Sequence, residues 1–461
     1  MANFDVVVIG AGTGGSYASY LLAKAGLNVA LVEMKRRDKV FKVTGDAIGI
    51  HHIDRLAIKP PSHVFTIRYE GAELYSPDLS IRYVVLGKGF GLDMSRWAQW
   101  LISEAESAGT QVFDGYKVQG PIIENGRVVG VRVLKPDGLI EDFRAKVVID
   151  ASGVGAVVRG RLPREWWVSE PLLPEDASHA YREVIEVDYD IERPEYIKIY
   201  LDSRIAPGGY WWLFPKSRNT MNIGLGLWGK LSEDRGLNPR HNYDEYLANS
   251  QYTRGRRVIH AGGGIVPTRR PLPSLVANGF LAVGDAAVTV NPVHGGGLGP
   301  ALLSAELASK AVIEAFERGD FSEEALWRYN IEYLRAYGIK QAMLDVFRLM
   351  LQTLTDDQLN RGLRARLLTE DEVLEISERG YLELSFIDKI KIGLRLMRVP
   401  DVAAKLRLAL RYMNDVKTLY EAYPTDPSKL PSWYGRLVSL YRDYSYRLGI
   451  NLRWLTQRPI S

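Results

Sequence analysis

The segment "FDVVVIGAGTGGSYASYLLAKAGLNVALVE", residues 4–33, decides the fold of this 461-residue chain. Residues 4–9 form an apolar run typical of a buried parallel strand, and the glycine-rich sequence "GAGTGG" follows at once. A helical stretch then ends at Gly26, and a second apolar run closes on Glu33. Strand, glycine loop, helix and strand in this order predict a βαβ unit of a Rossmann-type α/β sheet.

The glycine loop itself has the spacing of a nucleotide-binding turn. Gly10, Gly12 and Gly15 occupy the glycine positions of G-x-G-x-x-G, and Gly14 lies in the same loop. These positions serve a tight turn, the close approach of a pyrophosphate, and close packing of helix on strand. Glu33 ends the second strand, where a carboxylate can accept hydrogen bonds from a ribose. The loop predicts a dinucleotide site and leaves NAD and FAD open.

Composition limits the kinds of chemistry that the chain can perform. The sequence is 46% hydrophobic, carries a formal net charge of +4 and contains no cysteine. Disulfides, thiolate metal sites and thiol redox relays are therefore excluded, so redox chemistry needs a bound cofactor, and we predict no metal site. The small charge gives no case for a nucleic-acid partner. With a strand starting at residue 4 and no long apolar run, we expect a cytoplasmic protein whose membrane contact, if any, is peripheral on the inner face.

A second glycine-rich segment, residues 278–312, indicates which dinucleotide binds. Its sequence "NGFLAVGDAAVTVNPVHGGGLGPALLSAELASKAV" resembles the second FAD fingerprint of the glutathione-reductase and hydroxybenzoate-hydroxylase type flavoproteins. The resemblance implies that Asp285 binds the ribityl chain and that the helix after the glycine run is directed at the flavin. Backbone N–H groups at a helix start favour the negative charge of a reduced flavin. The residues of this helix start that we expect to contact FAD are Gly295, Gly296, Gly297 and Leu298.

Two further segments add expected cofactor contacts. The segment "VVIDASGVGAVVRG", residues 147–160, resembles the "DG" motif of the same flavoprotein group, with Gly153 in place. Ser152 stands where that group usually has aspartate, which weakens any nicotinamide-related role of the motif and suggests that the protein is no monooxygenase. Arg96 lies near the start of a predicted helix and is expected to reach a phosphate, with a surface arginine as the alternative. Val118 is also expected at the cofactor.

The run "GGYWWLFPK", residues 208–216, is unusually aromatic. Side chains alternate between the two faces of a strand, so Tyr210, Trp212 and Phe214 share one face, while Trp211 and Leu213 take the other. We predict that the first set lines a substrate tunnel and that the second packs in the core. The alternative is a strand that packs a core on both faces.

The aromatic strand matches the Y-x-W-x-F-P pattern of the geranylgeranyl reductase family. The segments "KVTGDAIG" (42–49), "VPTRRP" (266–271) and "VNPVHGGG" (290–297) resemble its archaeal branch, and the likeness spans nearly the whole chain. The resemblance implies an FAD enzyme that saturates the C=C bonds of geranylgeranyl chains during archaeal ether-lipid synthesis. A long apolar substrate needs a long tunnel, and aromatic faces bury much area without adding polar groups.

The source of the proton is left open by the sequence. Where the family commonly has P-C-G-D, this chain has Val43, Thr44, Gly45 and Asp46, so no thiol role can be carried over. Thr44, Gly45 and Asp46 are expected beside the cofactor, but a threonine hydroxyl is a poor acid. His294, in the flavin-facing loop, is the candidate catalytic acid, with a structural histidine as the alternative.

Three domains are expected. The FAD-binding domain is predicted to comprise residues 1–72, 93–160 and 276–345, and the strand-rich substrate domain residues 73–92 and 161–275. Residues 346–461 are predicted to form a helical C-terminal domain, for a hydroxybenzoate-hydroxylase-like α/β fold that is α+β overall. Basic residues interleaved with apolar ones in that domain predict a face for an anionic membrane, with a solvated helix face as the alternative. They are Lys389, Lys391, Arg395, Arg398, Lys405, Arg407, Arg411 and Lys417.

Two other functions remain open at this stage. One is a flavin monooxygenase or halogenase on the same fold, and the other is a non-catalytic FAD-containing protein that binds polyprenyl lipids. For the reductase, the electron donor is expected to be ferredoxin or a reduced nicotinamide that binds transiently, because the chain has only one complete glycine-loop site. The preferred geranylgeranyl lipid or diphosphate, the number of bonds reduced and the oligomeric state are not predicted.

Overall fold

The computed structural model describes residues 2–379 and 398–458, whose strands form two eight-stranded sheets. The strands, in chain order, are β1 (Ala2–Ile9), β2 (Val29–Glu33), β3 (Ala47–Gly49), β4 (Phe65–Tyr75), β5 (Arg82–Leu92), β6 (Gln111–Asp114), β7 (Lys117–Glu124), β8 (Arg127–Leu134), β9 (Ile140–Asp150), β10 (Ser178–Glu186), β11 (Tyr196–Tyr200), β12 (Tyr210–Pro215), β13 (Thr220–Trp228), β14 (Arg257–Val266), β15 (Val276–Ala277) and β16 (Phe280–Ala282).

Helices cover the first sheet and make up the C-terminal part of the described chain. They are α1 (Thr13–Lys24), α2 (Ile50–Asp54), α3 (Met94–Ser107), α4 (Gly229–Arg235), α5 (Pro239–Tyr246), α6 (Leu298–Arg318), α7 (Glu323–Leu326), α8 (Arg328–Tyr333), α9 (Ile339–Leu351), α10 (Asp356–Arg364), α11 (Glu370–Arg379), α12 (Pro400–Glu421) and α13 (Leu430–Leu448). A π-helical turn at Leu334–Gly338 joins α8 to α9.

The first sheet contains the predicted βαβ unit. Its strand order is β15-β16-β9-β1-β2-β6, and β7 and β8 extend from β9. Strand β1 is parallel to both β2 and β9, and its residues Val6, Val7 and Val8 are fully buried. Burial on both faces explains why this strand is a continuous apolar run without alternation. The predicted Rossmann-type core is thereby confirmed.

The second sheet has the order β14-β10-β13-β12-β11-β4-β5-β3. It includes strands β3 and β4, so part of the segment 47–72, which the sequence assigned to the cofactor domain, contributes to this sheet. The short strand β3 pairs with β5 through Ile48 and Phe90. Such a long-range pairing leaves no periodic signal in three residues, which is why the sequence placed the boundary too late.

The C-terminal part is helical, as predicted, and α9 packs along α12. The membrane-facing pattern is only partly within the described residues, because Lys389, Lys391 and Arg395 lie outside them. Of the others, Lys405 donates to the Thr353 carbonyl at 2.8 Å, and Lys417 pairs with Glu421. The membrane contact therefore stays a prediction. No helix in the described ranges is both long and apolar enough to span a bilayer.

A buried ion cluster links segments that are far apart in the chain. Arg269 and Arg270, which follow β14, are fully buried beside Glu170 and Asp176. Arg269 Nη2 lies 3.0 Å from Glu170 Oε2, and its Nη1 lies 3.1 Å from Asp176 Oδ2. Arg270 also pairs with Glu170, and its guanidinium stacks on the Trp454 ring at 3.3 Å from the centroid. The cluster therefore connects the end of the second sheet to the C-terminal segment.

Candidate active site

One cavity of about 2100 Å³ is lined by residues of both sheets and of the C-terminal helices. Ligand pockets usually measure about 300–1,000 Å³, so this cavity has room for a dinucleotide and a second, long ligand. It brings together most of the site residues that the sequence predicted. Those lining it are Gly10, Gly12, Gly14, Glu33, Thr44, Gly45, Asp46, Val118, Gly153, Tyr210, Trp212, Phe214, Asp285, His294, Gly295, Gly296, Gly297 and Leu298.

The first glycine loop fits a dinucleotide. Gly10 has a φ of +96°, and a Cβ there would lie 2.6 Å from the Ala151 carbonyl oxygen. A Cβ on Gly15 would lie 1.9 Å from the Gly10 carbonyl oxygen, so Gly15 allows α1 to pack closely and does not itself line the cavity. A Cβ on Gly12, by contrast, would meet no atom of the described residues within 4 Å. The open space beside Gly12 belongs to the cavity, where a pyrophosphate approaches the backbone in this motif.

Glu33 is held in position at the end of β2. Its Oε2 accepts from the Ala11 N–H at 2.8 Å, and its Oε1 accepts from the Lys35 N–H at 2.9 Å. An ionised carboxylate has about four acceptor positions, so both oxygens can still accept hydrogen bonds from a ribose. The structure thus presents Glu33 to the cavity with capacity for the predicted contact.

The second loop places a carboxylate beside the start of α6. Asp285 is buried, and its Oδ1 lies 3.3 Å from the position of a Cβ on Gly297. The Lys42 ammonium forms an ion pair with Asp285, a cavity contact that the sequence reasoning missed although Lys42 begins the quoted segment "KVTGDAIG". The first N–H groups of α6 have no intrahelical acceptors, so this end of the cavity favours anionic ligand atoms.

The loop of Thr44 to Asp46 is fixed from the second sheet. The Thr44 hydroxyl donates to Asp46 Oδ1 at 2.8 Å, and the Thr44 carbonyl accepts from Arg182 Nε at 3.1 Å and from Asn222 Nδ2 at 2.8 Å. Lys216 Nζ donates to Asp46 Oδ2 at 3.0 Å. Sequence reasoning missed these three partners, because they lie on distant strands and carry no motif that links them to the loop.

The aromatic strand β12 has the two faces that alternation predicts. Tyr210, Trp212 and Phe214 line the cavity, whereas the Trp211 ring stacks on Tyr200 at 3.7 Å between centroids in a separate core. The Tyr210 hydroxyl donates to the His294 carbonyl at 2.6 Å and so ties the strand to the second glycine loop. That the three cavity-facing rings contact substrate stays a prediction.

The His294 ring is held in its neutral form. Its Nδ1 accepts from the Gly296 N–H at 3.1 Å, and its ring has accessible surface toward the cavity. The ring nevertheless lies deep in the protein, and this desolvation, with the nearby Lys340 ammonium, lowers the pKa of His294 to about 4. At pH 7 roughly one molecule in a thousand would carry the imidazolium. This argues against the predicted role of His294 as the proton donor.

Arg96 lies outside the residues that line the cavity, and its contact with a phosphate stays a prediction. Its side chain is 60% exposed, Nη1 donates to the His63 carbonyl at 3.2 Å, and the residue does not line the cavity. Helix α3 instead turns Trp97 and Ala98 toward the cavity, and the 100° step between neighbouring helical residues directs Arg96 outward.

The two glycine loops, the open space at Gly12 and the large cavity define a flavoprotein with a Rossmann-type domain that binds FAD. A sequence profile of the NAD(P)-binding Rossmann-like domain matches residues 8–38, and one described as the geranylgeranyl reductase catalytic domain matches residues 176–266. The chain belongs to the geranylgeranyl reductase family and is an FAD-dependent reductase. In the described residues, no group of three or more potential ligands could hold a metal ion.

Similar proteins support this membership. The chain is 38% identical to a digeranylgeranylglycerophospholipid reductase of Sulfolobus acidocaldarius, over 97% of this chain and 99% of the relative. It is 31% identical to the enzyme of that name from Methanoculleus marisnigri, over 87% and 98% of the two chains. A solved structure of a geranylgeranyl bacteriochlorophyll reductase-like protein from Thermoplasma acidophilum has a TM-score of 0.74 and 26% identity, covering 89% of this chain and 100% of that one. A myxobacterial chondrochloren halogenase, 19% identical over 87% and 97% of the chains with a TM-score of 0.63, shares the fold alone.

Gly12→Ala is expected to weaken FAD binding without destabilising the protein. The added methyl group meets open cavity space in the protein but enters the space that this motif leaves for a pyrophosphate. We expect a steric penalty of about 1–3 kcal/mol, or roughly 5- to 150-fold in the dissociation constant of FAD. Flavin fluorescence titration measures the affinity, and thermal unfolding of the FAD-free protein measures the stability. Gly15→Ala is the matched control, because its clash with Gly10 should lower both. An unchanged FAD affinity in Gly12→Ala would contradict the assignment of the loop.

The fold is expected to lose stability in acid through His52. The His52 ring packs on Gly299 at the start of α6, and burial, followed by the charges of His51 and Lys340, lowers the pKa of His52 to about 3. The unfolded chain, with an ordinary histidine pKa near 6.5, therefore takes up this proton first as the pH falls. The stabilisation is present above that value and is lost as the pH falls toward the folded-state pKa.

The free energy of unfolding falls between pH 7 and pH 5 in both proteins. In His52→Gln this fall should be about 1–2 kcal/mol smaller than in the wild type. Urea unfolding at the two pH values measures this difference. His241→Gln, at an exposed position, is the control and should retain the wild-type loss. Equal losses in all three proteins would show that His52 does not contribute.

Proposed function

We propose that this protein reduces the C=C bonds of geranylgeranyl chains carried on an archaeal glycerophospholipid. The observation that carries the proposal is the continuity of the cavity from the glycine loops past Trp212 to an apolar wall in the C-terminal helices. An isoprenoid chain has no polar groups to satisfy, so an aliphatic and aromatic wall suits it. The apolar residues of this wall include Leu354, Leu359, Leu363, Leu367, Leu368, Val402 and Leu406.

The names of the relatives support the substrate class. Both curated relatives described above are called digeranylgeranylglycerophospholipid reductases, and the Sulfolobus protein matches nearly the entire chain. The halogenase likeness concerns the fold alone, so it gives no support to the monooxygenase or halogenase alternative.

When bound, FAD supplies the hydride for the reaction, and the protein supplies position and environment. The Gly12 loop and Glu33 would hold the adenosine and pyrophosphate end, and Asp285 the ribityl chain. Tyr210 and Trp212 would orient the alkene, since both residues line the cavity. Apolar side chains around the remaining wall would keep bulk water away from the rest of the isoprenoid chain.

The proton reaches the second carbon from a group that is neither a thiol nor, at neutral pH, a charged His294. The Thr44 hydroxyl proton is engaged by Asp46 at 2.8 Å, which makes Thr44 an unsuitable donor as well. We therefore propose that the proton comes from solvent that enters the cavity. On this basis Thr44→Ala should retain turnover, whereas a direct acid role would abolish it.

Two finer expectations belong to the same proposal. The reducing partner is a ferredoxin or a reduced nicotinamide, and comparing the two as electron donors in anaerobic turnover distinguishes them. Peripheral contact with an anionic membrane would bring the enzyme to its lipid, and vesicle co-sedimentation with and without anionic lipid tests it.

The decisive experiment is mass analysis of geranylgeranyl lipids incubated anaerobically with the dithionite-reduced holoenzyme. We expect the lipid to gain one hydrogen molecule for each bond saturated and the flavin to be reoxidised in step. Stable reduced flavin with unchanged lipid would favour the binding-protein alternative and refute the proposal. If instead a product forms only in the presence of O₂ and is oxygenated or halogenated, the proposal is refuted and the monooxygenase or halogenase alternative is favoured.

A further inference from the structure

A chain of hydrogen bonds connects the aromatic strand to the Thr44–Asp46 loop. The indole Nε1 of Trp212 donates to Asn222 Oδ1 at 2.9 Å. The Asn222 amide nitrogen in turn donates to the Thr44 carbonyl at 2.8 Å and to Asp46 Oδ2 at 3.1 Å. Asn222 is fully buried and does not itself line the cavity, so its whole polar capacity is directed at these partners.

The register of the second sheet makes this connection possible. Asn222 on β13 lies directly opposite Phe214 on β12, so it shares the face of Trp212 and Phe214. Gly224 lies opposite Trp212, and a Cβ at Gly224 would lie 2.6 Å from Trp212 Cζ2. The missing side chain at Gly224 therefore lets the indole ring lie across β13 and reach Asn222.

The loop needs such support because its backbone is unusual. Asp46 has a φ of +60°, in the left-handed region that non-glycine residues rarely adopt. Its carboxylate is fixed by Lys216 at 3.0 Å, with Arg182 Nη2 at 3.6 Å. Arg182 Nη1 also donates to His260 Nδ1 at 2.8 Å, which orients the guanidinium. Of these groups, Asn222 is the one whose side chain also accepts a hydrogen bond from a side chain of β12, the Trp212 indole.

We infer that Asn222 is a positioning residue for the reduction. It keeps the Trp212 ring, on which the isoprenoid chain would rest, at a fixed separation from the loop that would contact the cofactor. The inference rests on the proposed function for the identity of the substrate. Asn222 suits this task because one amide supplies both the acceptor for the indole and the two donors for the loop.

Trp212→Phe tests the inference most directly, because it keeps an aromatic wall and removes the indole N–H. In FAD-loaded enzyme, kcat with geranylgeranyl lipid should fall between about 10- and 100-fold, as expected when reacting groups are misplaced, while KM changes little. Asn222→Ala should give a similar loss, and the double variant should lose little more than either single variant, because the two residues act through one bond. Trp211→Phe, on the opposite face, is the matched control and should keep the kcat of the wild type.

A second readout needs no substrate. The visible absorption spectrum of bound FAD should shift in Asn222→Ala, because the Thr44–Asp46 loop loses two hydrogen bonds, and it should be unchanged in Trp211→Phe. If the wild type reduces no geranylgeranyl lipid, the proposed function fails. The spectrum then still tests whether Asn222 positions the loop, and an unchanged spectrum in Asn222→Ala would overturn that role. If Asn222→Ala does not fold, the kcat of Trp212→Phe alone tests the inference. Wild-type kcat in Trp212→Phe, or a raised KM at unchanged kcat, would overturn the inference.

Discussion

Glu170→Gln is expected to lower the free energy of unfolding by about 3–5 kcal/mol, the usual cost of leaving a buried charge without its partner. Glu170 is buried between Arg269 and Arg270, neither of which has any exposed surface. Burial alone would raise the pKa of the Glu170 carboxyl, but the two guanidiniums hold it below its usual range. The carboxylate therefore stays charged in the fold, and its contribution to stability persists well into acid before it is lost.

Urea unfolding at pH 7 measures the effect, with Glu170→Gln/Arg270→Met as the critical comparison. Removing both members of the pair takes away the unpaired charge, so the double variant should be more stable than Glu170→Gln alone. Arg218→Ala breaks a surface pair with Asp190 and should leave the unfolding midpoint almost unchanged. The unfolding midpoint of Glu170→Gln should therefore differ clearly from that of the wild type. If it shifts as little as the midpoint of Arg218→Ala, the cluster does not stabilise the fold.

The two neighbouring tryptophans of β12 should respond differently to truncation. Trp211→Ala is expected to cost about 3–5 kcal/mol of stability, because its ring is 2% exposed and stacks on Tyr200 within a packed core. Trp212→Ala should cost less stability, since its ring already borders a cavity, but should lower turnover of geranylgeranyl lipids markedly. Thermal unfolding and single-turnover reduction measure the two effects, and both variants should retain FAD.

The reverse outcome is informative. If Trp212→Ala unfolds the protein and Trp211→Ala leaves it folded but less active, the functions of the two faces are inverted. If both variants only unfold, the strand is part of the core, and the substrate path must run elsewhere in the cavity.

Much of the site was predictable because it depends on interactions between residues that are close together in the sequence. Gly10, Gly12 and Gly15 have fixed spacing along one turn, and the tertiary structure shows each in the steric situation that the motif requires. The alternation of Trp211 and Trp212 between core and cavity follows from the twofold repeat of a strand. In both cases neighbouring residues in the chain are neighbours in space.

The features that sequence reasoning did not predict depend on the direction of a side chain or on distant strand pairing. Arg96 is on the expected helix, but helix rotation directs its guanidinium to the surface. The boundary of the second sheet was placed too late, because β3 pairs with a strand some forty residues further on. Neither feature changes the local pattern of residue types that sequence reasoning uses.

The sequence by itself therefore determined the βαβ unit, the flavin class and the aromatic strand, since each rests on short-range periodicity or spacing. Only the tertiary structure decided which groups surround the loop at Thr44. Arg182, Lys216 and Asn222 are more than 130 positions away from it in the chain, and the second sheet brings them within hydrogen-bonding distance. The same holds for the lowered pKa of His294, which arises from burial and from Lys340 on a remote helix. Burial and long-range electrostatics are properties of the folded chain as a whole, so no local segment encodes them.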